Sequence, residues 1–211
     1  PYQRKFHKTG SEANQRLLMA ANRIGKSFSG ASEMSYHLTG LYPDWWEGRK
    51  FTQPITAWAG GVSNETTRDI VQYELLGSPD DPAAFGSGTV PRSKIIKTER
   101  KPGVPNAKSV ALIQHVTGGN SSLFFKAYEM GVDKWQGRSV DCIWLDEEPS
   151  RELYSQAVTR TLDRKGMVYM TFTPESGMTE TVASFMNNLQ HGQSLTNATW
   201  DDASESVDSM N

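Results

Sequence analysis

A short apolar run, followed closely by a glycine, a lysine and a serine, constrains the fold of this 211-residue chain more than any other feature. The run covers residues 16–21, and residues 22–27, Asn-Arg-Ile-Gly-Lys-Ser, interrupt it. Apolar side chains then recur at helical spacing, at Phe28, Ala31, Met34 and Leu38. The pattern predicts a buried strand, a tight loop and an amphipathic helix, in that order.

The predicted loop has the groups that bind a phosphate chain. Phosphate binding requires inward-facing backbone N–H groups at a helix N-terminus, a lysine for the terminal phosphates and a hydroxyl for magnesium. Residues 20–27 match this pattern with Gly25, Lys26 and Ser27, although Ala20 occupies the position of its first glycine. The alternative is an ordinary helix start with a solvated lysine.

Strand-like and helix-like segments alternate along the rest of the chain. Strands are predicted at residues 54–59, 109–116, 122–128, 140–145 and 167–173, and helices at 63–76 and 151–162. Thr117-Gly118-Gly119-Asn120 reads as a hairpin turn, whereas residues 77–92 read as a surface excursion. The expected fold is α/β, with a central, mostly parallel sheet flanked by helices. We expect one domain over residues 1–190, followed by a polar linker at 191–211.

Two carboxylates follow the predicted strand at 140–145. Asp146 and Glu147 come directly after four apolar residues, and the carboxyl edge of such a sheet is where its ligands bind. In a nucleotidase the first acid holds Mg²⁺, together with Ser27, and the second activates the attacking water. The alternative is an acidic first turn of a helix, with Pro149 at a favourable position.

Composition adds mainly exclusions. The formal net charge of −2 points to no globally polyanionic partner, so contacts with nucleic acid are expected to be local. The single cysteine and four histidines show no metal-ligand spacing. Since no apolar run approaches roughly 20 residues, we expect no membrane span. A local basic cluster, a candidate DNA contact or simply a solvated loop, comprises Arg92, Lys94, Lys97, Arg100, Lys101 and Lys108.

Together these motifs resemble the ATPase domain of tailed-bacteriophage terminase large subunits. The resemblance is carried by the phosphate loop with an internal arginine, by residues 144–149 (Trp-Leu-Asp-Glu-Glu-Pro) and by residues 171–174 (Thr-Phe-Thr-Pro), and it spans roughly residues 1–200. It implies an ASCE-type P-loop NTPase fold that uses ATP and Mg²⁺. The chain starts at Pro1 and ends in a polar stretch, so we expect a fragment that lacks the family's nuclease domain.

The resemblance also implies roles for individual residues. Tyr2 and Gln3 are similar to the family's adenine-recognition segment, with a frayed terminus as the alternative. Residues 22–28 (Asn22, Arg23, Ile24, Gly25, Lys26, Ser27 and Phe28) would contact the nucleotide. The catalytic groups would be Glu147, Lys26 and Arg23, where a purely positioning role is the alternative for Arg23.

Two further roles follow from the family alone. Thr171 and Thr173 match its coupling motif, which senses the γ-phosphate. Many relatives place an arginine before a glycine shortly ahead of the acidic strand, and in some this arginine reaches the neighbouring subunit. This chain has Gln136-Gly137-Arg138 there, so Arg138 and Arg160 are both candidates for a trans-acting arginine.

The function implied is a motor that hydrolyses ATP to move double-stranded DNA into a procapsid. Its expected partners are DNA, the portal protein, the small terminase subunit and further copies of itself in a ring. Its expected location is the host cytoplasm, docked transiently on the procapsid. The alternatives are a helicase-like translocase, and an ATP-binding assembly module without useful hydrolysis.

Overall fold

The computed structural model describes residues 2–173 and 180–202. Eight strands form one sheet in the order β3-β4-β5-β2-β6-β7-β1-β8. The strands are Gln15–Ala20 (β1), Thr56–Gly61 (β2), Ile95–Arg100 (β3), Lys108–Gln114 (β4), Asn120–Ala127 (β5), Cys142–Asp146 (β6), Met167–Phe172 (β7) and Gln193–Ala198 (β8). The β3–β4 and β4–β5 pairs are antiparallel and the remaining pairs are parallel. The predicted mixed, mostly parallel sheet is therefore confirmed.

Helices cover both faces of this sheet. They are Tyr2–Thr9 (α1), Lys26–Thr39 (α2), residues 64–76 (α3), Arg151–Leu162 (α4) and Glu180–Asn187 (α5). Helix α3 has a π-helical centre, Thr67–Gln72, between the α-helical segments Asn64–Thr66 and Tyr73–Leu76. One face packs against α1, α2 and α3, and the other against α4 and α5. Single 3₁₀ turns lie at Pro82–Ala84, Arg92–Lys94, Tyr128–Met130 and Val132–Trp135.

Alternation along the central strands decides which side chains reach each face. In β6, Trp144 and Asp146 face α2, whereas Ile143 and Leu145 face α4. In β7, which lies between β1 and β6, Thr171 faces α2 in register with Asp146. Strand β6 therefore directs the carboxylate of its last residue, Asp146, at the start of α2.

A buried ionic cluster fastens the first two helices to β1. Glu33 of α2 accepts hydrogen bonds from Arg16 of β1, and its other contacts are His7 Nδ1 at 2.6 Å and His37 Nε2 at 3.3 Å. Although burial alone would raise the pKa of Glu33, Arg16 and the two histidines hold it well below its ordinary value. Because α1 and α2 both border the phosphate loop, the cluster fixes the frame of that loop.

The prediction of a linker beginning at residue 191 is wrong for its first part. Gln193–Ala198 forms β8, which pairs with β1 along its whole length. Strand β8 covers the edge of β1 that would otherwise be unpaired, and its residues Thr196 and Ala198 are themselves buried. The segment's alternating, partly polar sequence is typical of an edge strand. Residues 203–211 and the predicted strand end at Pro174 lie outside the described residues.

None of the helices among the described residues has the length and apolar character needed to cross a membrane.

Candidate functional site

A tight loop joins the carboxyl end of β1 to the N-terminus of α2. Gly25 has φ 90° and Arg23 has φ 61°, both in the left-handed region, where glycine is accommodated without steric cost. The Gly25 carbonyl accepts the backbone N–H of Ser29 at 2.9 Å. Lys26 is therefore the first residue of the helix, which places the loop's N–H groups at its positive end.

The structure brings this loop and the two acids together. Ser27 Oγ donates to Asp146 Oδ1 at 3.1 Å, and Lys26 Nζ lies 3.3 Å from Glu147 Oε1. Glu147 has φ 65°, an uncommon conformation for a residue with a side chain. Two pairs of groups from opposite halves of the sequence thus meet at one point, which is the arrangement that the phosphate-binding hypothesis requires.

Asp146 is almost fully enclosed at this point. Burial raises its pKa to about 6, while hydrogen bonds from the Thr171 and Ser27 hydroxyls oppose the shift. The Trp144 indole N–H donates to Thr171 Oγ1 at 2.8 Å, and Thr171 Oγ1 lies 2.6 Å from Asp146 Oδ1. An indole nitrogen only donates, so the hydroxyl accepts from Trp144 and directs its single proton at Asp146.

Thr173, just beyond β7, connects the loop with the second acid. Its backbone N–H donates to Glu147 Oε2 at 3.3 Å, and its hydroxyl donates to Asn22 Oδ1 at 3.1 Å. The two threonines of the predicted coupling motif consequently differ. Thr171 contacts Asp146, whereas Thr173 contacts both the loop and Glu147.

Helix α1, which begins at Tyr2, brings Tyr2 and Gln3 against the phosphate loop. Tyr2 is buried in α1 and its hydroxyl donates to the Ile24 carbonyl. Burial is the main reason that the pKa of Tyr2 is raised to about 12, with a smaller contribution from Asp202. Gln3 Nε2 would lie 3.4 Å from a Cβ at Gly25. Both residues of the predicted adenine segment are therefore next to the phosphate loop.

Several predicted residues lie elsewhere. The Phe28 side chain, 55% exposed, lines a 440 Å³ cavity together with Tyr36 and Tyr73. Arg160 Nη1 donates to the Gly137 carbonyl at 2.9 Å, near the start of β6 and thus at the opposite edge of the sheet. Arg138, also before β6, holds its guanidinium 5.1 Å from the centre of the Phe124 ring.

The basic cluster is also remote from the loop. Most of its residues lie on or beside β3, the strand at the far end of the sheet, and Lys97 forms an exposed ion pair with Glu99 at 3.0 Å. Basic side chains on an edge strand also discourage pairing with other chains.

Sequence reasoning missed Trp144 and Tyr128 as site residues. Tyr128, in the turn after β5, shares its single hydroxyl proton between the carbonyl oxygens of Asp146 at 3.0 Å and Glu147 at 2.9 Å. Burial raises the pKa of Tyr128 well above its ordinary value, so the hydroxyl remains a donor. A tyrosine after a strand has no motif signal. Trp144 lies two positions before Asp146, and its large apolar ring is typical of a core residue.

Oxygen ligands suited to Mg²⁺ are present where the sequence predicts them. The hydroxyl of Ser27 and the carboxylate of Asp146 are in contact, and hard cations such as Mg²⁺ prefer oxygen donors and commonly keep phosphate and water ligands. Within residues 2–173 and 180–202, no group of three or more histidine, cysteine, aspartate or glutamate side chains is arranged to hold a metal ion. A magnesium shared with a phosphate chain fits this donor set.

The sheet order, the left-handed loop before α2 and the acids at the end of β6 define a P-loop NTPase fold of the ASCE type. A family model described as "Terminase large subunit, T4likevirus-type, N-terminal" matches residues 17–206. The large terminase subunit of Salmonella phage P22 is 35% identical over 99% of this chain and 46% of that protein. The chain therefore belongs to the family of terminase large subunits.

Solved structures agree on the fold. The large terminase of a thermophilic bacteriophage matches with a TM-score of 0.66 and 12% identity, over 95% of this chain and 46% of that one. A second structure of that terminase, in complex with ADP, gives a TM-score of 0.63 and 10% identity, over 96% of this chain and 46% of the other. The chain spans about half the length of these relatives.

Proposed function

We propose that this chain is the ATP-hydrolysing motor domain of a terminase large subunit, which drives double-stranded DNA into a procapsid. The observation that carries the proposal is the convergence of Lys26 and Ser27 with Asp146 and Glu147. The family to which the chain belongs and the ADP bound to the terminase of the thermophilic phage agree with it. The docking of the adenine on Tyr2 and Gln3 is part of the same proposal.

The residues divide the chemistry among them. Mg²⁺, held by Ser27 and Asp146, would supply charge neutralisation on the phosphate oxygens. Lys26 binds the terminal phosphates, and Glu147 orients water for in-line attack and accepts its proton. Arg23 lies exposed in the loop, where its guanidinium can stabilise charge that develops on the γ-phosphate.

The Lys26–Glu147 ion pair implies an exchange of partners on nucleotide binding. A triphosphate recruits Lys26, and Glu147 is then released toward the attacking water. Since Thr173 contacts both Glu147 and Asn22, it is the threonine placed to transmit loss of the γ-phosphate. Thr171 instead orients Asp146. A catalytic acid next to the loop lysine also argues against a binding module without hydrolysis.

Two variants test the site. Glu147→Gln removes the acid but preserves the shape, so turnover is expected to fall by roughly a thousandfold or more with ATP affinity nearly unchanged. Lys26→Ala is expected to lose nucleotide binding. Steady-state hydrolysis and titration with a fluorescent ATP analogue measure the two effects. Normal hydrolysis by Glu147→Gln would remove that residue from the mechanism, and unchanged affinity in Lys26→Ala would reject the loop assignment.

DNA contact through the basic cluster is a separate part of the proposal. The reversal Lys97→Glu with Arg100→Glu is expected to weaken DNA binding and to reduce its dependence on salt, because both side chains would contact phosphates. The matched control reverses Lys5 and Lys50, which lie on α1 and in the loop after α2. Equal salt dependence in the two double variants would reject the basic cluster as a DNA site.

Assembly into a ring would make one arginine act on a neighbouring subunit. We favour Arg138, because Arg160 is already hydrogen-bonded to Gly137 within its own chain. The test uses full-length subunits that carry Arg138→Ala, mixed with subunits that carry Glu147→Gln. The Arg138→Ala substitution should lower the turnover of the assembled motor and leave the turnover of the monomer unchanged. The portal protein and small subunit are the other proposed partners, with the procapsid in the host cytoplasm as the place of action.

A further inference from the structure

The turn that begins at Tyr128 contacts the backbone of the two acids, Asp146 and Glu147. Tyr128 follows β5, and β2 separates β5 from the acidic strand β6 in the sheet. Its hydroxyl nevertheless reaches across the end of β2 to both the Asp146 and Glu147 carbonyl oxygens. Because the acceptors are main-chain atoms, the contact depends on the path of the backbone through residues 146 and 147.

That path is an unfavourable one. Glu147 has a left-handed φ of 65°, a conformation that brings a Cβ too close to the following carbonyl oxygen. Its backbone N–H donates to the Thr171 carbonyl at 2.8 Å, on the side opposite the Tyr128 contact. The turn is therefore held from β7 on one side and from Tyr128 on the other. In this conformation the Glu147 carboxylate reaches Lys26 and the Thr173 N–H.

The end of β2 is built to let Tyr128 approach. A Cβ at Gly60 would lie 2.5 Å from the Lys126 carbonyl oxygen and 3.1 Å from the Trp135 ring. Any larger residue there would push away the end of β5, which carries Tyr128. The Tyr128 ring itself packs at 5.9 Å between centroids against Trp135, so its direction is set independently of the hydroxyl.

We propose that Tyr128 is a positioning residue for hydrolysis, which holds the left-handed turn at Glu147 so that the carboxylate points at the attacking water. This inference rests on the proposed function. Tyr128 acts through the backbone of Glu147, because its hydroxyl is hydrogen-bonded to the Glu147 carbonyl oxygen. The hydroxyl is expected to affect the rate of the chemical step while leaving nucleotide binding, which depends on the loop and Lys26, almost unchanged.

The test is Tyr128→Phe, which removes the hydroxyl and keeps the ring. Its kcat is expected to fall about tenfold, as for the loss of roughly one hydrogen bond, with KM and the affinity for a non-hydrolysable analogue within about twofold of wild type. The matched control is Tyr154→Phe. Tyr154 is also buried and donates to Gln15 at 3.0 Å, away from the phosphate loop, so its loss should leave kcat within about twofold of wild type.

A second comparison uses the acid itself. In a Glu147→Gln background, Tyr128→Phe should cause no further loss, because the group that it positions is already inactive. An additional loss of about tenfold there would overturn the proposal, as would a kcat in Tyr128→Phe equal to that of Tyr154→Phe, or a raised KM at unchanged kcat. If instead the wild-type domain fails to hydrolyse ATP, or Glu147→Gln hydrolyses normally, the proposed function itself is refuted.

Folding is monitored by thermal melting of both phenylalanine variants. Should Tyr128→Phe not fold, 3-fluorotyrosine introduced at position 128 retains the ring and the donor, and kcat is expected to stay within about twofold of wild type. A loss of about tenfold in that folded protein would show that kcat follows some property of residue 128 other than its hydrogen bond, and would overturn the proposal.

Discussion

Replacement of Asp146 by Asn should stabilise the nucleotide-free domain. Burial raises the pKa of Asp146 from 3.8 to about 6, so the folded state is destabilised by keeping this carboxylate charged. About two orders of magnitude in proton affinity correspond to roughly 3 kcal/mol. Asn removes the charge and keeps an oxygen that accepts from Thr171 and Ser27, but its amide must also be accommodated, so we expect a net gain of about 2 kcal/mol.

The gain should depend on pH with a definite sign. A carboxyl whose pKa is raised on folding binds its proton more tightly in the folded state, so the wild type loses stability as pH rises from about 4 to about 6. The advantage of Asp146→Asn should therefore be complete above about pH 7 and absent near about pH 4. Urea denaturation across this range measures it, and at about pH 7.5 the Tm should rise by roughly 4–8 °C.

The matched control is Asp141→Asn, the same substitution immediately before β6. Asp141 accepts from the Thr56 N–H and pairs with Arg164 at 3.1 Å, so its charge is compensated and no gain is expected. With saturating ATP and Mg²⁺ the wild type should become more stable than Asp146→Asn. A ligand present at about 100 times its Kd stabilises the wild type by about 2.7 kcal/mol. An Asp146→Asn variant that is less stable than wild type at neutral pH without nucleotide, or equally shifted at every pH, would refute the reasoning.

Two substitutions test the packing around the site. Gly30→Ala would place its Cβ 2.6 Å from indole atoms of Trp144, so we expect the free energy of unfolding, measured in urea, to fall by about 1–3 kcal/mol. The kcat should also fall, because Thr171 loses its donor. Wild-type stability would show that the indole moves freely. Glu33→Gln leaves the buried Arg16 without its counter-charge, for an expected loss of about 3–5 kcal/mol at neutral pH, and a loss below about 1 kcal/mol would contradict the role given to the ionic cluster.

Local chemistry explains how much could be predicted from the sequence. Strand β1, the loop and the acids were predictable, because a buried strand and a phosphate loop each need particular residues within a few positions. The strands β3 and β8 were missed because edge strands carry polar residues, and β8 is defined by pairing with β1, which lies far away in sequence. Tyr128 was unpredictable for the same reason: its role depends on how close the ends of β5 and β6 come.

The site concentrates features that cost stability in the absence of a ligand. Arg23 and Glu147 adopt left-handed conformations and Asp146 is charged in a buried position, and each such feature typically costs about 1–3 kcal/mol. At the acids these features persist because neighbouring elements hold them, through Thr171 on β7 and Tyr128 after β5. A bound phosphate chain with magnesium would offset the charge on Asp146. A site built for that ligand should therefore be relieved either by the ligand or by removal of the charge, but only the first restores turnover.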